Sequence, residues 1–194
     1  MKTFSRLLIL SLGLGAAFTV RPAFADPLDQ PGLGRSLGEA RFASGTGNVI
    51  YLAAGTLLPL LEDGKDGQQH ALRTADALFS ATIITEGLKR ITRERRPDSS
   101  ARDSFPSGHV TAAFAVATMQ SHYHPRQAPY WYLGAALISE SRVQLNRHYL
   151  HDVVAGAAVG YVTARFELGQ KRGLILRPFI SGRGGMGLSF SKAF

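Results

Sequence analysis

The sequence predicts an all-α fold, a bundle of about five to six helices followed by a C-terminal β-hairpin. Apolar residues form 45% of the 194 residues and charged residues 19%, which is enough apolar surface for a packed core. Between residues 70 and 95 the apolar positions recur with a helical period of 3.6 residues. The apolar helical runs are about 11 to 15 residues long, shorter than the roughly 18 that cross a bilayer. They are therefore interpreted as core helices of a soluble or peripheral protein, with a multi-pass membrane protein as the alternative.

The first 25 residues have the pattern of a secretory signal peptide. A short basic start precedes an apolar run over residues 7–18, and a small-x-small cleavage pattern ends at Ala25. A retained membrane anchor is the alternative, but the run is shorter than the ~20 residues of a membrane span and Arg21 interrupts it. We therefore expect an exported protein, in the periplasm or at the outer face of the inner membrane.

Charge and cysteine content narrow the function further. The formal net charge is +8, and removing the three cations of residues 1–25 leaves +5. This balance suits an anionic substrate or peripheral association with a membrane surface, and we expect no nucleic-acid partner. The chain has no cysteine, so its stability must come from the core alone.

The chain divides into four predicted parts: the signal peptide, an irregular lead-in over 26–46 with one short helix, a helical domain over 47–169, and a hairpin over 170–194. Gly156 and Gly160, four residues apart, predict a close approach of another backbone to the last helix. Apolar residues alternate after residue 174, which indicates strands. The predicted helices of the domain cover 48–61, 70–95 (ended by Pro97), 110–121, 130–140 and 153–166.

Basic residues crowd the end of the longest predicted helix. Lys89 and Arg96 are seven residues apart, which on one helix separates them by about 10 Å along one face. Their side chains can converge on one anion, since Arg offers a planar fork and Lys a mobile point charge. A solvated basic helix end is the alternative.

A helix start follows at Pro106-Ser107-Gly108-His109. Free backbone N–H groups at such a start bind anions, and Gly108 lets the backbone come close. In the alternative interpretation Ser107 is only a helix N-cap.

A third stretch places Arg142, His148 and Asp152 together. His148 and Asp152 are four residues apart, and on a helix they would face each other. A carboxylate that is hydrogen-bonded to one ring nitrogen leaves the other nitrogen to act as a nucleophile. A structural His–Asp pair is the alternative. A zinc site formed by His148, His151 and Asp152 lacks the two-histidine helical pattern of zinc hydrolases, so no metal is expected.

Together the three stretches resemble the signature of the type 2 phosphatidic acid phosphatase family, which includes bacterial nonspecific acid phosphatases and vanadium haloperoxidases. The resemblance covers about residues 47 to 166. It rests on Lys89, Arg96-Pro97, Pro106-Ser107-Gly108-His109, Ser141-Arg142, His148 and Asp152.

The resemblance implies a helical bundle, a metal-independent reaction and a role for each residue. Lys89, Arg96 and Arg142 would bind the phosphoryl oxygens, with hydrogen bonds from Ser107 and Gly108.

The same resemblance implies the catalytic roles. His148 would attack phosphorus to give a phosphohistidine, oriented by Asp152. His109 would protonate the leaving group and then activate water.

Three functions compete at this level. The first is an exported phosphatase for phosphate monoesters or lipid-linked phosphates, without a cofactor and inhibited by vanadate. The second is a vanadate-dependent haloperoxidase, and the third an idle binding module for anionic lipid or phosphorylated glycan. Aromatic residues at Phe105 and 130–132 are candidates for an apolar mouth, with core positions as the alternative. The sequence predicts no oligomeric state.

Overall fold

The protein is mostly helical, and the predicted all-α bundle is confirmed. A computed structural model describes residues 33–170, with side chains from residue 37, and the backbone of 176–180 and 186–190. The predicted signal peptide lies outside the described residues. Among the described helices, none combines the length and apolar character that a membrane crossing requires. The helices are α1 (Leu33–Ser44), α2 (Thr46–Leu57), α3 (Pro59–Glu62), α4 (Gly67–Thr92), α5 (Gly108–Tyr123), α6 (Ala128–Gln144) and α7 (Leu150–Gly169).

Within the predicted lead-in over 26–46 the structure has one helix, α1, of 12 residues. Its glycines weaken helix propensity, but packing outweighs propensity in short helices. The helix packs against α2 and α6, and Ala40 is buried in that contact region. As a result Ser44, at the end of α1, comes within reach of Arg142 on α6.

Helix α5 lies at the centre of the bundle, packed against α4, α6 and α7. Its buried residues include three alanines, Ala113, Ala115 and Ala117, whose small side chains let the neighbouring helices come close. One core cluster joins Ala115 and Met119 to residues of α4 and α7. A second joins Ala113 and Ala117 to α6, with Trp131 and Tyr132 packed against it. This close packing fixes the start of α5 relative to its neighbours.

The close approach predicted at Gly156 and Gly160 is confirmed. A Cβ atom on Gly156 would lie 2.7 Å from the carbonyl oxygen of Ser107, and one on Gly160 would lie 2.2 Å from that of Thr111. Both distances are shorter than real side chains tolerate, so α7 requires glycine where it crosses α5. The start of α7 is thereby held against the start of α5.

The C-terminal segment contains two short antiparallel strands, β1 (Leu176–Ile180) and β2 (Met186–Phe190). Leu176 pairs with Phe190, and Ile180 with Met186. The connection, residues 181–185, lies outside the described residues, so the complete hairpin stays a prediction.

Candidate active site

The three predicted stretches meet at one end of the bundle, where α4 and α6 end and α5 and α7 begin. The N–H of Ser107 donates to the carbonyl of Asp152 at 3.0 Å, which joins the two helix starts. The N–H of His148 donates to the carbonyl of Arg142 at 3.3 Å and holds the α6–α7 loop against the end of α6. Within the 93–107 loop, the N–H of Ser104 donates to the carbonyl of Glu94 at 3.0 Å.

Lys89 and Arg96 do not share a helix, so the prediction of two cations on one helix face is wrong. Arg93 takes the left-handed conformation, with φ 49°, and ends α4 four residues before Pro97. Its N–H donates to the carbonyl of Lys89 at 2.9 Å, as residues at helix C-termini commonly do. The chain then turns, and Arg96 lies in the loop. Both positive charges still lower the pKa of His109.

Each of these two cations has a partly exposed acidic partner. Arg96 makes a bidentate pair with Asp103, with Nε–Oδ1 and Nη2–Oδ2 distances of 2.8 and 2.9 Å. Lys89 lies 3.0 Å from Glu86. The side chains of Asp103 and Glu86 are 46% and 53% exposed. An incoming anion can therefore compete with carboxylates that water already reaches.

Arg142 is buried and has no carboxylate partner among the described residues. Its Nη1 donates to the hydroxyl of Ser44, while Nε has no hydrogen-bond partner within 33–170. Burial and the charges of Arg96 and Arg147 lower its pKa to about 10, so it remains a cation at neutral pH. A buried guanidinium with free donors is suited to bind an anion.

The start of α5 offers further donors. Ser107 occupies the N-cap position, but its hydroxyl makes no capping hydrogen bond and is buried without a partner among the described residues. The interpretation of Ser107 as only a capping side chain is therefore wrong. A Cβ on Gly108 would lie 3.5 Å from Nζ of Lys89, in the space between that ammonium and the helix start. The N–H groups of the first turn face this space.

His148 is buried and has a defined tautomer. Its Nδ1 lies 2.9 Å from the carbonyl oxygen of Ser104. Because a carbonyl only accepts hydrogen bonds, Nδ1 carries the proton and Nε2 keeps its lone pair. This is the protonation state that a nitrogen nucleophile requires.

Asp152 acts on His148 less directly than the sequence predicted. His148 precedes α7 and is not on a helix with Asp152, and its Nδ1 lies 3.5 Å from Oδ2 of Asp152. That oxygen accepts a 2.5 Å hydrogen bond from the hydroxyl of Ser104 and a 2.9 Å bond from the N–H of Tyr149. The N-terminal position of Asp152 in α7 explains the bond to Tyr149, since an acidic residue in the first turn caps the helix. Ser104 thus contacts both members of the pair, and nothing in the sequence separated it from Ser99 or Ser100.

Burial and the surrounding cations keep both histidines neutral. Together they lower the pKa of His109 and of His148 to about 4, and burial is the largest cause. The charges of Arg142 and Arg96 contribute to both shifts, and that of Lys89 contributes to the shift of His109.

A second group of possible ligand atoms lies beside the site. Glu94, His151 and Asp152 each offer one such atom, all within 4.8 Å of one another. His151 Nε2 lies 2.6 Å from Glu94 Oε1 and 3.2 Å from Asp152 Oδ1. The hydrogen bond of this nitrogen goes to Glu94, while Oδ1 of Asp152 is buried and has no hydrogen-bond partner among the described residues.

The expected aromatic mouth does not form from α6. Trp131 and Tyr132 pack against the core, while Tyr130, though 76% exposed, lies three turns of α6 away from Arg142. Phe105 lies on the site side, with its ring centroid 6.0 Å from that of His151. The spacing on α6 thus indicated core residues.

Sequence comparison assigns the family. The sequence profile of the PAP2 superfamily matches residues 71–173, more than half of the chain. The chain belongs to the PAP2 superfamily. This membership agrees with the resemblance drawn from the three motifs, and all of the motif residues lie inside the matched range.

Three known proteins are similar to this chain. This PAP2 protein is 41% identical over 78 residues to a lipid A 1-phosphatase of Porphyromonas gingivalis, a match that covers 38% of the chain and spans only 17% of that relative's length. The solved structure of Aquifex aeolicus LpxE has a TM-score of 0.57 at 24% identity, covering 74% of this chain and 89% of that one, and so shares its fold. A transmembrane PAP2-type phosphatidylglycerolphosphate phosphatase of Bacillus subtilis gives a TM-score of 0.47 at 22% identity, covering 75% and 81%.

Proposed function

We propose that this PAP2 protein is an exported, metal-independent phosphatase that hydrolyses lipid-linked phosphates or phosphate monoesters through a phosphohistidine at His148. The observation that carries the proposal is the buried His148, whose Nε2 lone pair is free and whose pKa is lowered by Arg142 and Arg96. A neutral imidazole surrounded by cations is a nucleophile beside a site for a dianion.

The phosphoryl group would be bound by charge and by backbone donors. Arg142 presents an Nε donor that is otherwise unpartnered, and Lys89 and Arg96 can exchange partly exposed carboxylates for phosphate oxygens. Ser107 and Gly108 would add a hydroxyl and N–H groups at the start of α5. Phosphoryl transfer depends mainly on positioning and positive charge around the equatorial oxygens, and this set of donors supplies both.

The reaction would proceed in two displacements. Nε2 of His148 forms a bond to phosphorus while the bond to the leaving alkoxide breaks, and His109 gives that alkoxide a proton. Neutral His109 then takes a proton from water, the hydroxide forms a bond to phosphorus, and the P–N bond breaks to release phosphate. The pKa of His109 is about 4 without an anion. A bound phosphate dianion would raise this pKa, because an opposite charge favours the protonated ring.

A lipid substrate is favoured by apolar side chains beside the site. Ile91, Leu150 and Val154 are 80%, 62% and 61% exposed. Ile91 follows Lys89 in the last turn of α4, and Leu150 and Val154 follow His148 in the first turns of α7. Exposed apolar side chains on helix ends that meet at one site commonly mark an interaction surface. We propose that they contact an acyl or prenyl chain, or the outer face of an anionic membrane, while the phosphate enters the cationic site.

The test is phosphate release by the purified full chain from an aryl phosphate, phosphatidate, phosphatidylglycerophosphate, lipid A and a prenyl pyrophosphate, in detergent and in excess EDTA. We expect turnover of at least one lipid substrate, insensitive to EDTA and inhibited by vanadate. His148→Asn should abolish it, while His122→Asn, a change at an exposed histidine of α5, should not. Parental turnover by His148→Asn would refute the mechanism. Halide oxidation activated by vanadate would favour the haloperoxidase alternative.

A further inference from the structure

Ser104 is the one described residue that contacts both His148 and Asp152 by hydrogen bonds of 2.9 Å or less. Its carbonyl oxygen accepts from Nδ1 of His148, and its hydroxyl donates to Oδ2 of Asp152. The residue is fully buried, and its own N–H is bound to the carbonyl of Glu94. The carbonyl, hydroxyl and N–H groups of Ser104 are therefore each held by a hydrogen bond, to His148, Asp152 and Glu94 respectively.

The contacts continue outward from Asp152. Its second oxygen, Oδ1, lies 3.2 Å from Nε2 of His151, and the same nitrogen lies 2.6 Å from Oε1 of Glu94. Because a carboxylate oxygen only accepts, that nitrogen carries a proton and donates it to Glu94, and it lies beside Oδ1 of Asp152, which has no hydrogen-bond partner among the described residues. The ring of His151 is stacked on that of Tyr149, with centroids 5.4 Å apart and planes at 9°. Glu94 connects these contacts back to Ser104, because its carbonyl oxygen accepts the hydrogen bond from the N–H of Ser104.

We propose that Ser104 and His151 are positioning residues for the nucleophile, which hold Asp152 and, through it and the Ser104 carbonyl, fix His148 for attack. This inference rests on the proposed function and assigns roles to two residues outside the three-part signature.

The physical reason is the charge that forms during attack. When Nε2 bonds to phosphorus, the imidazole becomes positive, and the Ser104 carbonyl and the Asp152 carboxylate face the Nδ1 proton. A buried carboxylate stabilises that charge only if its own orientation is fixed beforehand. The hydroxyl of Ser104 fixes one oxygen, and His151 faces the other. Their contribution should therefore be larger in the transition state than in substrate binding, and so appear in kcat rather than in KM.

The experiment first establishes that the parental full chain has His148-dependent phosphatase activity, since its absence would refute the proposed function and not the positioning roles. Ser104→Ala, His151→Ala and the double variant are then compared on one substrate. We expect kcat to fall about tenfold or more for Ser104→Ala and about threefold for His151→Ala, with KM changed less than twofold. Ser104→Thr, which keeps a hydroxyl, should recover part of the loss.

Matched controls separate positioning from packing. Ser139→Ala removes a buried hydroxyl that donates only to the carbonyl of Ala135 in its own helix, and His122→Ala removes an exposed imidazole elsewhere on the surface. Both should leave kcat unchanged. If Ser104→Ala does not fold, His151→Ala still tests the idea, because the His151 side chain is 56% exposed and its loss spares the core.

Epistasis with Asp152 decides the question. Because both residues act through that carboxylate, Ser104→Ala and His151→Ala should cause little further loss in an Asp152→Asn background. Equal losses in both backgrounds, or a parental kcat for both single variants, would overturn the proposal. Activity lost in EDTA and restored by Zn²⁺ would also overturn it, since Glu94, His151 and Asp152 would then be metal ligands.

Discussion

The two ends of α4 differ in how deeply the acidic partners of their cations are buried. Near its start, Arg73 pairs with the fully buried Glu167 at 2.9 Å, and Asp63 lies between His70 and His124 at 2.6 and 3.2 Å. Near its end, about 24 Å away by the helical rise, the acidic partners of Lys89 and Arg96 are partly exposed.

Burial of the acidic partner is the difference. A buried carboxylate can neither leave its guanidinium nor be replaced, so the first end is a structural network. An exposed carboxylate exchanges readily with water or another anion, so the second end keeps positive charge available. Arg142, which has no carboxylate partner among the described residues, is the extreme case. The availability of positive charge, rather than its amount, distinguishes the end that holds the candidate active site.

Removal of Arg142, the most available cation, should have the largest effect. Arg142→Met should lower kcat/KM by about a hundredfold, comparable to the loss of an oxyanion-stabilising donor. Its stability should stay the same or rise, because burial and neighbouring cations already disfavour the charge, as its lowered pKa shows. Steady-state kinetics and urea unfolding measure the two effects. A large loss of stability with little loss of activity would show that Arg142 stabilises the fold and does not bind the substrate.

The matched change at the other end is Arg73→Met. It takes the guanidinium from a fully buried carboxylate and should lower the free energy of unfolding by about 3 kcal/mol. The kcat of the folded fraction should stay within about twofold of the parent. Urea unfolding and active-site titration test this, and a hundredfold loss of kcat would show that the two ends are not separate.

The two ends should also differ in how pH affects stability. The pKa of His148 is about 4 in the folded protein against an ordinary 6.5, so the folded state binds fewer protons and loses stability as pH falls from 6.5 toward 4. Burial raises the pKa of Glu167 to about 7 from 4.5, so its contribution is present below pH 4.5 and is lost as pH rises through 7. In melting curves from pH 4 to 8, His148→Asn should reduce the acid loss and Glu167→Gln the alkaline loss. Unchanged slopes in both variants would contradict these assignments.

The smallest effect is expected at an exposed acidic partner. Glu86→Gln frees Lys89 from a surface pair that contributes at most about 1 kcal/mol. Inhibition by inorganic phosphate should become about twofold stronger, with unfolding unchanged. Weaker phosphate inhibition would mean that Glu86 holds Lys89 in place for the anion instead of competing with it.

The residues of the candidate site could be proposed from the sequence, while their geometry could not. Lys89, His109, Arg142 and His148 were identified from residue types, spacing and family resemblance, because those features survive any loop conformation. The left-handed turn at Arg93 was missed because arginine rarely adopts it, and no glycine marked the end of α4.

Residues that act through tertiary contacts were missed for a related reason. Ser104 lies 44 residues from His148 and Ser44 lies 98 residues from Arg142 in the chain. Neither has a local pattern that separates it from other serines. Only the packing of α1, α5 and α7 brings them to the site.

A phosphohistidine at His148 can be trapped directly. The full chain is mixed briefly with ³²P-labelled substrate, quenched in base, digested and sequenced by mass spectrometry. We expect base-stable, acid-labile label on His148, approaching one phosphate per active chain and absent from His148→Asn. Label on another residue, or none during confirmed turnover under conditions that slow dephosphorylation, would contradict it.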